Sequence, residues 1–120
     1  MKFKGLLLRE SLEDISVLAK LKIVGEEKWD IENASPDQPR TWQAITYEGS
    51  QTEAKSIAAK LALAFKSGPW YTNFTAKSSV YIVFPGKVFA YRKGSLSGRK
   101  KAEAWAKSIG IPQSQLDWEE

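Results

Sequence analysis

Arg92-Lys93-Gly94-Ser95-Leu96-Ser97-Gly98-Arg99-Lys100-Lys101 is the stretch whose residue types best suit a binding chemistry. It leads into a helical pattern that the spacing starts near Ser97. A helix start offers free backbone N–H groups and the positive end of a dipole. Glycines let a ligand approach the backbone, hydroxyls donate, and Arg and Lys add charge. The expected anion-binding set is therefore Arg92, Lys93, Ser95, Ser97, Gly98, Arg99 and Lys100. A phosphate, a carboxylate or a nucleic acid would suit it. The spacing is not that of a P-loop, which needs G-x-x-x-x-G-K-[ST]. The plainer alternative is that Ser97 caps the helix, the glycines serve the turn and the lysines are solvated.

Just upstream, Tyr71, Tyr81 and Tyr91 occupy comparable places on three strand-like runs, with Lys77, Lys87, Arg92 and Lys93 nearby. Aromatics in a basic field can stack single-stranded bases. No RNP-like motif accompanies them, and aromatics at these spacings also build cores. Glu10, Glu13 and Asp14 cluster at an expected helix start, where acids favour the dipole in any case. No metal-loop spacing occurs among the acids. The expected catalytic, metal and cofactor sets are all empty.

Composition sharpens this. The 120 residues contain no Cys and no His. Disulfides, thiol catalysis and thiolate metal sites are excluded, as is the side chain that most often works as acid, base or metal ligand near neutrality. An enzyme built on this chain would run on Tyr, Lys, Ser or carboxylates. The first sixty residues carry nine Lys/Arg and ten Asp/Glu; the last sixty carry nine and four. Between Lys66 and Lys107 only Glu103 is negative. The basic surplus is thus local, and an anionic partner belongs at that end. Leu6-Leu7-Leu8 is too short for a signal-peptide core and no run suits a membrane span, so the expectation is a cytoplasmic protein without a membrane partner.

The elements that position these residues follow from periodicity. Residues 3–8 predict a strand. Ser11-Leu12-Glu13-Asp14 predicts a capping box, with Leu12, Ile15, Leu18 and Ala19 on one helical face. A strand is expected near 27–32, a loop over Asn33 to Arg40, and a strand over Thr41 to Glu48. Ser50-Gln51-Thr52-Glu53 predicts a second capping box before an amphipathic helix to about Lys66, stopped by Ser67-Gly68-Pro69. Strands at Trp70–Phe74, Val80–Phe84 and Val88–Tyr91 form a meander, with Pro85-Gly86 in a type II turn. Ala102, Trp105, Ala106 and Ile109 mark the last helix. Gly110 suits its C′ position, Ile111 can fold back, and Pro112 stops it. The tail Gln113 to Glu120 is expected to pack back through Leu116 and Trp118.

The order predicts one α+β domain over 1–120: a largely antiparallel sheet with helices on one face, ferredoxin-like or related. Gly110-Ile111-Pro112-Gln113-Ser114-Gln115-Leu116-Asp117-Trp118, with Trp70-Tyr71, Val83 to Tyr91 and Leu8-Arg9-Glu10-Ser11-Leu12, resembles a small family of uncharacterised prokaryotic proteins. The resemblance brings no activity and no functional residue. The leading functional expectation is a non-enzymatic binding or regulatory module with an anion-binding basic loop. The alternatives are a small enzyme using Tyr or carboxylate chemistry, and a homo-oligomer, such as a homodimer, that buries its sheet face.

Overall fold

The computed structural model describes residues 2–30, 41–118 and 120. The expected α+β class is what it contains, with the strands divided between two antiparallel three-stranded sheets. The first sheet holds β1 (Lys2–Leu8), β2 (Lys22–Asp30) and β3 (Thr41–Ser50) in the order β1-β3-β2. After α1 (Ala54–Ala64), the second sheet is a simple meander of β4 (Thr72–Ala76), β5 (Ser79–Phe84) and β6 (Lys87–Arg92). The last helix is α2 (Leu96–Ser108). The loop expected over Asn33 to Arg40, and the end of the strand expected near 27–32, lie outside the described residues.

The sheets meet where β4 lies beside β1. Thr72 Oγ1 donates to the Leu6 carbonyl at 2.6 Å and shares a 2.9 Å hydrogen bond with Tyr47 Oη. Gly5 makes this approach possible, since a Cβ there would stand 2.5 Å from the Tyr47 ring and 3.0 Å from the Asn73 carbonyl. Burial raises the Tyr47 hydroxyl pKa, so it stays a neutral hydrogen-bonding group.

Alternation along β5 divides the core in two, because successive side chains leave opposite faces of a strand. Tyr81 and Val83 join Phe3, Phe74, Tyr47 and the buried residues of α1. Val80, Ile82 and Phe84 join Tyr91, Ala102 and Ala106 of α2, with Ile111, Leu116 and Trp118. The second sheet is therefore covered on both faces, α1 on one and α2 on the other. Helices on one face were expected because the sequence pattern says which residues are apolar, not which face meets which helix.

Two helix starts differ from expectation. Ser11 is buried, and its hydroxyl donates to the Leu8 carbonyl. Residues 11–14 run along the end of α1 instead: Glu13 and Asp14 N–H donate to the Ala64 carbonyl, and Lys66 N–H to Ser11. That pairing commits the backbone that a capping box would need. A 3-10 segment, Ile15–Lys20, starts only after Asp14, whose carboxylate accepts from Ser16 N–H at 3.0 Å. At the second box, Ser50 Oγ accepts from Thr52 N–H at 3.4 Å, and a 3-10 turn precedes α1.

α1 ends before the expected Ser67-Gly68-Pro69 stop, at Ala64, where Phe65 turns extended; the hairpin turn and the last stop hold as read. Gly86 takes φ +70° between Phe84 and Lys87, as a type II turn requires. Gly110 takes φ +94°, with Gly110 N–H donating to Lys107 and Ile111 N–H to Ala106. That is a Schellman motif, with Ile111 buried as its apolar contact.

Candidate functional site

The basic loop joins β6 to α2. Ser95 caps α2, in place of the expected Ser97: its Oγ accepts from Gly98 N–H at 3.2 Å. Arg92, Lys93, Ser97 and Lys100 are exposed. Gly98 serves packing, since a Cβ there would lie 2.4 Å from Tyr91 Cβ. It lets α2 settle directly on β6.

Arg99 turns away from the exposed cations. Nη1 donates to the Trp118 carbonyl at 3.1 Å and to Glu120 Oε2 at 3.3 Å. Nη2 reaches the Leu116 carbonyl at 3.4 Å, and Nε reaches Glu103 Oε2 at 3.3 Å. The guanidinium also stands 4.8 Å from the Trp118 ring, a cation–π contact. Only arginine presents a planar fork with enough donors for all of these at once.

Glu120 completes the arrangement. Its Oε1 accepts from Gly94 N–H at 2.9 Å and its Oε2 from Tyr91 Oη at 2.7 Å. Tyr91 Oη in turn accepts from Trp118 Nε1 at 2.9 Å. Gly94 has φ +88°, a conformation glycine adopts without strain, and this backbone presents the N–H to the carboxylate. The loop thus holds a carboxylate by a main-chain N–H, a phenol and a guanidinium, and the carboxylate is the chain's own. Of the expected set, Arg99 touches it directly. Ser95 and Gly98 shape the loop, and Arg92, Lys93, Ser97 and Lys100 surround it as exposed groups. Gly94, Tyr91 and Glu120 were outside the expected set. The alternation that put Tyr91 on the α2 side was readable, but the return of Glu120 was not.

This geometry fixes a pH window. The Gly94 N–H, then the Tyr91 hydroxyl and Arg99, hold the Glu120 carboxyl below its ordinary value of 4.5. Burial first, and the hydrogen bond to Glu120 second, push the Tyr91 phenol up to about 12 from 10. A depressed carboxyl contributes fully above its ordinary pKa and loses that contribution as pH falls through the folded value. A raised phenol contributes fully below 10 and loses it as pH rises through about 12. The Trp118 indole N–H signal is therefore expected to stay constant between pH 4.5 and pH 10 and to change on both sides. Glu120→Gln removes the acid limb and, by taking away the carboxylate that helps to raise the Tyr91 phenol, moves the alkaline limb to lower pH. A midpoint near neutrality would contradict the arrangement.

The three tyrosines do not form a stacking platform. Tyr81 stacks on Phe74 at 5.1 Å in the core between the sheets. Tyr71 and Tyr91 belong to the α2 side, where Tyr71 Oη donates to the Gln115 carbonyl and its ring meets Trp118 edge-on at 5.6 Å. The register pairs Tyr81 with Ala90 and Tyr91 with Val80, so the two rings leave opposite faces. Among the acids, Glu10 Oε1 accepts from Gln43 N–H at 2.6 Å, a structural bond between the end of β1 and β3. Among the described residues, no three acidic side chains group as a metal would need, and no helix is long and apolar enough to cross a membrane.

Compared with known proteins, the chain matches no family model, no curated protein and no solved structure.

Proposed function

We propose that the protein is a non-enzymatic binding module whose basic loop recognises an anionic group, with Glu120 as the internal occupant of that site. The observation that carries this is the Glu120 carboxylate held by Gly94 N–H, Tyr91 Oη and Arg99 together. These donors suit a carboxylate or a phosphate oxygen equally. Exposed Arg92, Lys93 and Lys100 around them would draw an anion in and strengthen its hold at low salt. An external anion competes with Glu120, so binding is coupled to release of the tail.

Inorganic phosphate is the test, followed at the Gly94 amide by NMR. The parent chain should respond weakly, because its site is filled. Glu120→Gln should bind about tenfold more tightly, since an occluded site lowers apparent affinity by the fraction that is open. Adding Arg99→Glu and Lys100→Glu to that variant should abolish the response. If the Gly94 amide of Glu120→Gln ignores phosphate at low salt, the proposal fails.

The same reading takes the fold as a relative of the ferredoxin-like split βαβ unit. The neighbour order β4, β1, β3, β2 supports it. It takes the Gly110–Trp118 string as the mark of relatives that would share the tail latch. A cysteine-free chain suits a cytoplasmic setting.

A further inference from the structure

A cleft of about 730 Å³ opens where the two sheets meet the tail. Its walls include Leu6, Trp29, Trp42, Trp70 and Tyr71, and Asp117 is the one charged residue among the described residues that line it. The volume is within the usual range of small-molecule sites, which are mostly apolar with a few placed polar groups. Trp29 and Trp42 are cross-strand partners on β2 and β3, and Trp42 meets Trp70 edge-on at 6.2 Å. Three indoles and a phenol from three separate segments thus converge on one space.

Trp42 adds an observation of another kind. The residue is 7% exposed, and its Nε1 is buried without a hydrogen-bond partner among the described residues. An indole N–H normally finds an acceptor when buried, and a buried donor left unpaired is costly. Trp29 Nε1, by contrast, donates to Glu27 at 3.0 Å. The orphan donor therefore belongs to a ring that lines the cleft.

We infer that this cleft binds a neutral, planar heteroaromatic molecule that presents a hydrogen-bond acceptor to Trp42 Nε1. Planarity follows from the indole walls, which offer faces for stacking. The acceptor follows from the unpaired N–H. Neutrality follows from the lining, where among the described residues no cation balances a negative ligand and Asp117 opposes one. The cleft shares the tail with the carboxylate-holding loop, through Gln115 and Asp117, but offers a different donor, Trp42 Nε1 in place of Gly94 N–H.

Caffeine is the probe: neutral, planar, rich in acceptors and lacking an N–H donor. Titrated into the full chain, it should shift the Trp42 indole N–H signal downfield and saturably, with the exposed Trp105 signal unmoved. Trp42→Phe should weaken binding about tenfold by removing the donor while keeping a ring. Trp29→Ala, at the partly exposed lip, should weaken it several-fold without disturbing the core. Trp105→Phe should leave it unchanged. No response of the Trp42 signal up to about 10 mM, the range of the weakest specific affinities, overturns the inference. So does a saturable response confined to other indoles, or equal binding by a folded Trp42→Phe variant.

Discussion

Replacing Phe74 with alanine should cost about 3–5 kcal/mol, the range for deleting a buried phenyl ring. Phe74 is 1% exposed. Its ring stacks on Phe3 of β1 at 4.1 Å and on Tyr81 of β5 at 5.1 Å, and meets Tyr47 of β3 edge-on at 6.3 Å. No single ladder joins β1 and β3 to β4 and β5, so these ring contacts carry much of the joint between the sheets. Leucine at the same position should recover part of the loss, because the cavity shrinks while the stacking geometry is gone. Total stability for a domain of this size is about 5–15 kcal/mol, so the alanine variant sits near the edge of folding. Urea unfolding followed by far-UV circular dichroism measures it. A loss below about 1 kcal/mol would mean that the two sheets do not share one core.

The same residue shows what was legible in the chain. Phe74, Tyr81 and Tyr91 all fall in readable strands, bounded by a Pro85-Gly86 turn and followed by a helix that Gly110 ends. Those features are local: each depends on period or on a positive φ within a few residues. Partition into two sheets is not local. It rests on Gly5 lacking a side chain where Tyr47 and the Asn73 carbonyl crowd in, contacts that span 42 and 68 positions of sequence. Ser11 misled for the same reason. Its box has the right residues, but Ala64 takes the N–H groups of Glu13 and Asp14.

The candidate site divides the same way. Charge placed it at residues 92–101, and Arg99 proves to be the member that touches a carboxylate. Sequence could not separate Arg99 from Lys100, since both read as exposed cations at a helix start. Helix geometry separates them. Arg99 shares a face with Glu103, one turn on, and the two form an ion pair at 3.3 Å. Lys100 is exposed. The aromatic cleft left less trace. Trp29, Trp42 and Trp70 are far apart in the chain, and nothing in their spacing announces that they meet.

Trp118→Ala should cost a comparable ~3–5 kcal/mol, which would make the third-last residue of this sequence as important as one in the core. Its ring is 5% exposed and lies between Tyr71 and the Arg99 guanidinium. Its N–H donates to Tyr91 Oη, the same oxygen that donates to Glu120. Alanine therefore removes apolar burial, the cation–π contact and one bond of the chain that orients Tyr91 toward the carboxylate. Phenylalanine separates these parts: it keeps most of the burial and loses the N–H, for a cost of about 0.5–1.5 kcal/mol. Urea denaturation measures both, and an alanine loss under about 0.5 kcal/mol, typical of an exposed position, would mean a loose tail. A second readout connects stability to binding. With Trp118 gone, Glu120 is held by Gly94, Tyr91 and Arg99 without the anchor that delivers it. Phosphate should then reach the Gly94 amide as readily in Trp118→Ala as in Glu120→Gln. If phosphate bound tightly to Glu120→Gln but not to Trp118→Ala, the Glu120 carboxylate would be held at the loop independently of the indole anchor.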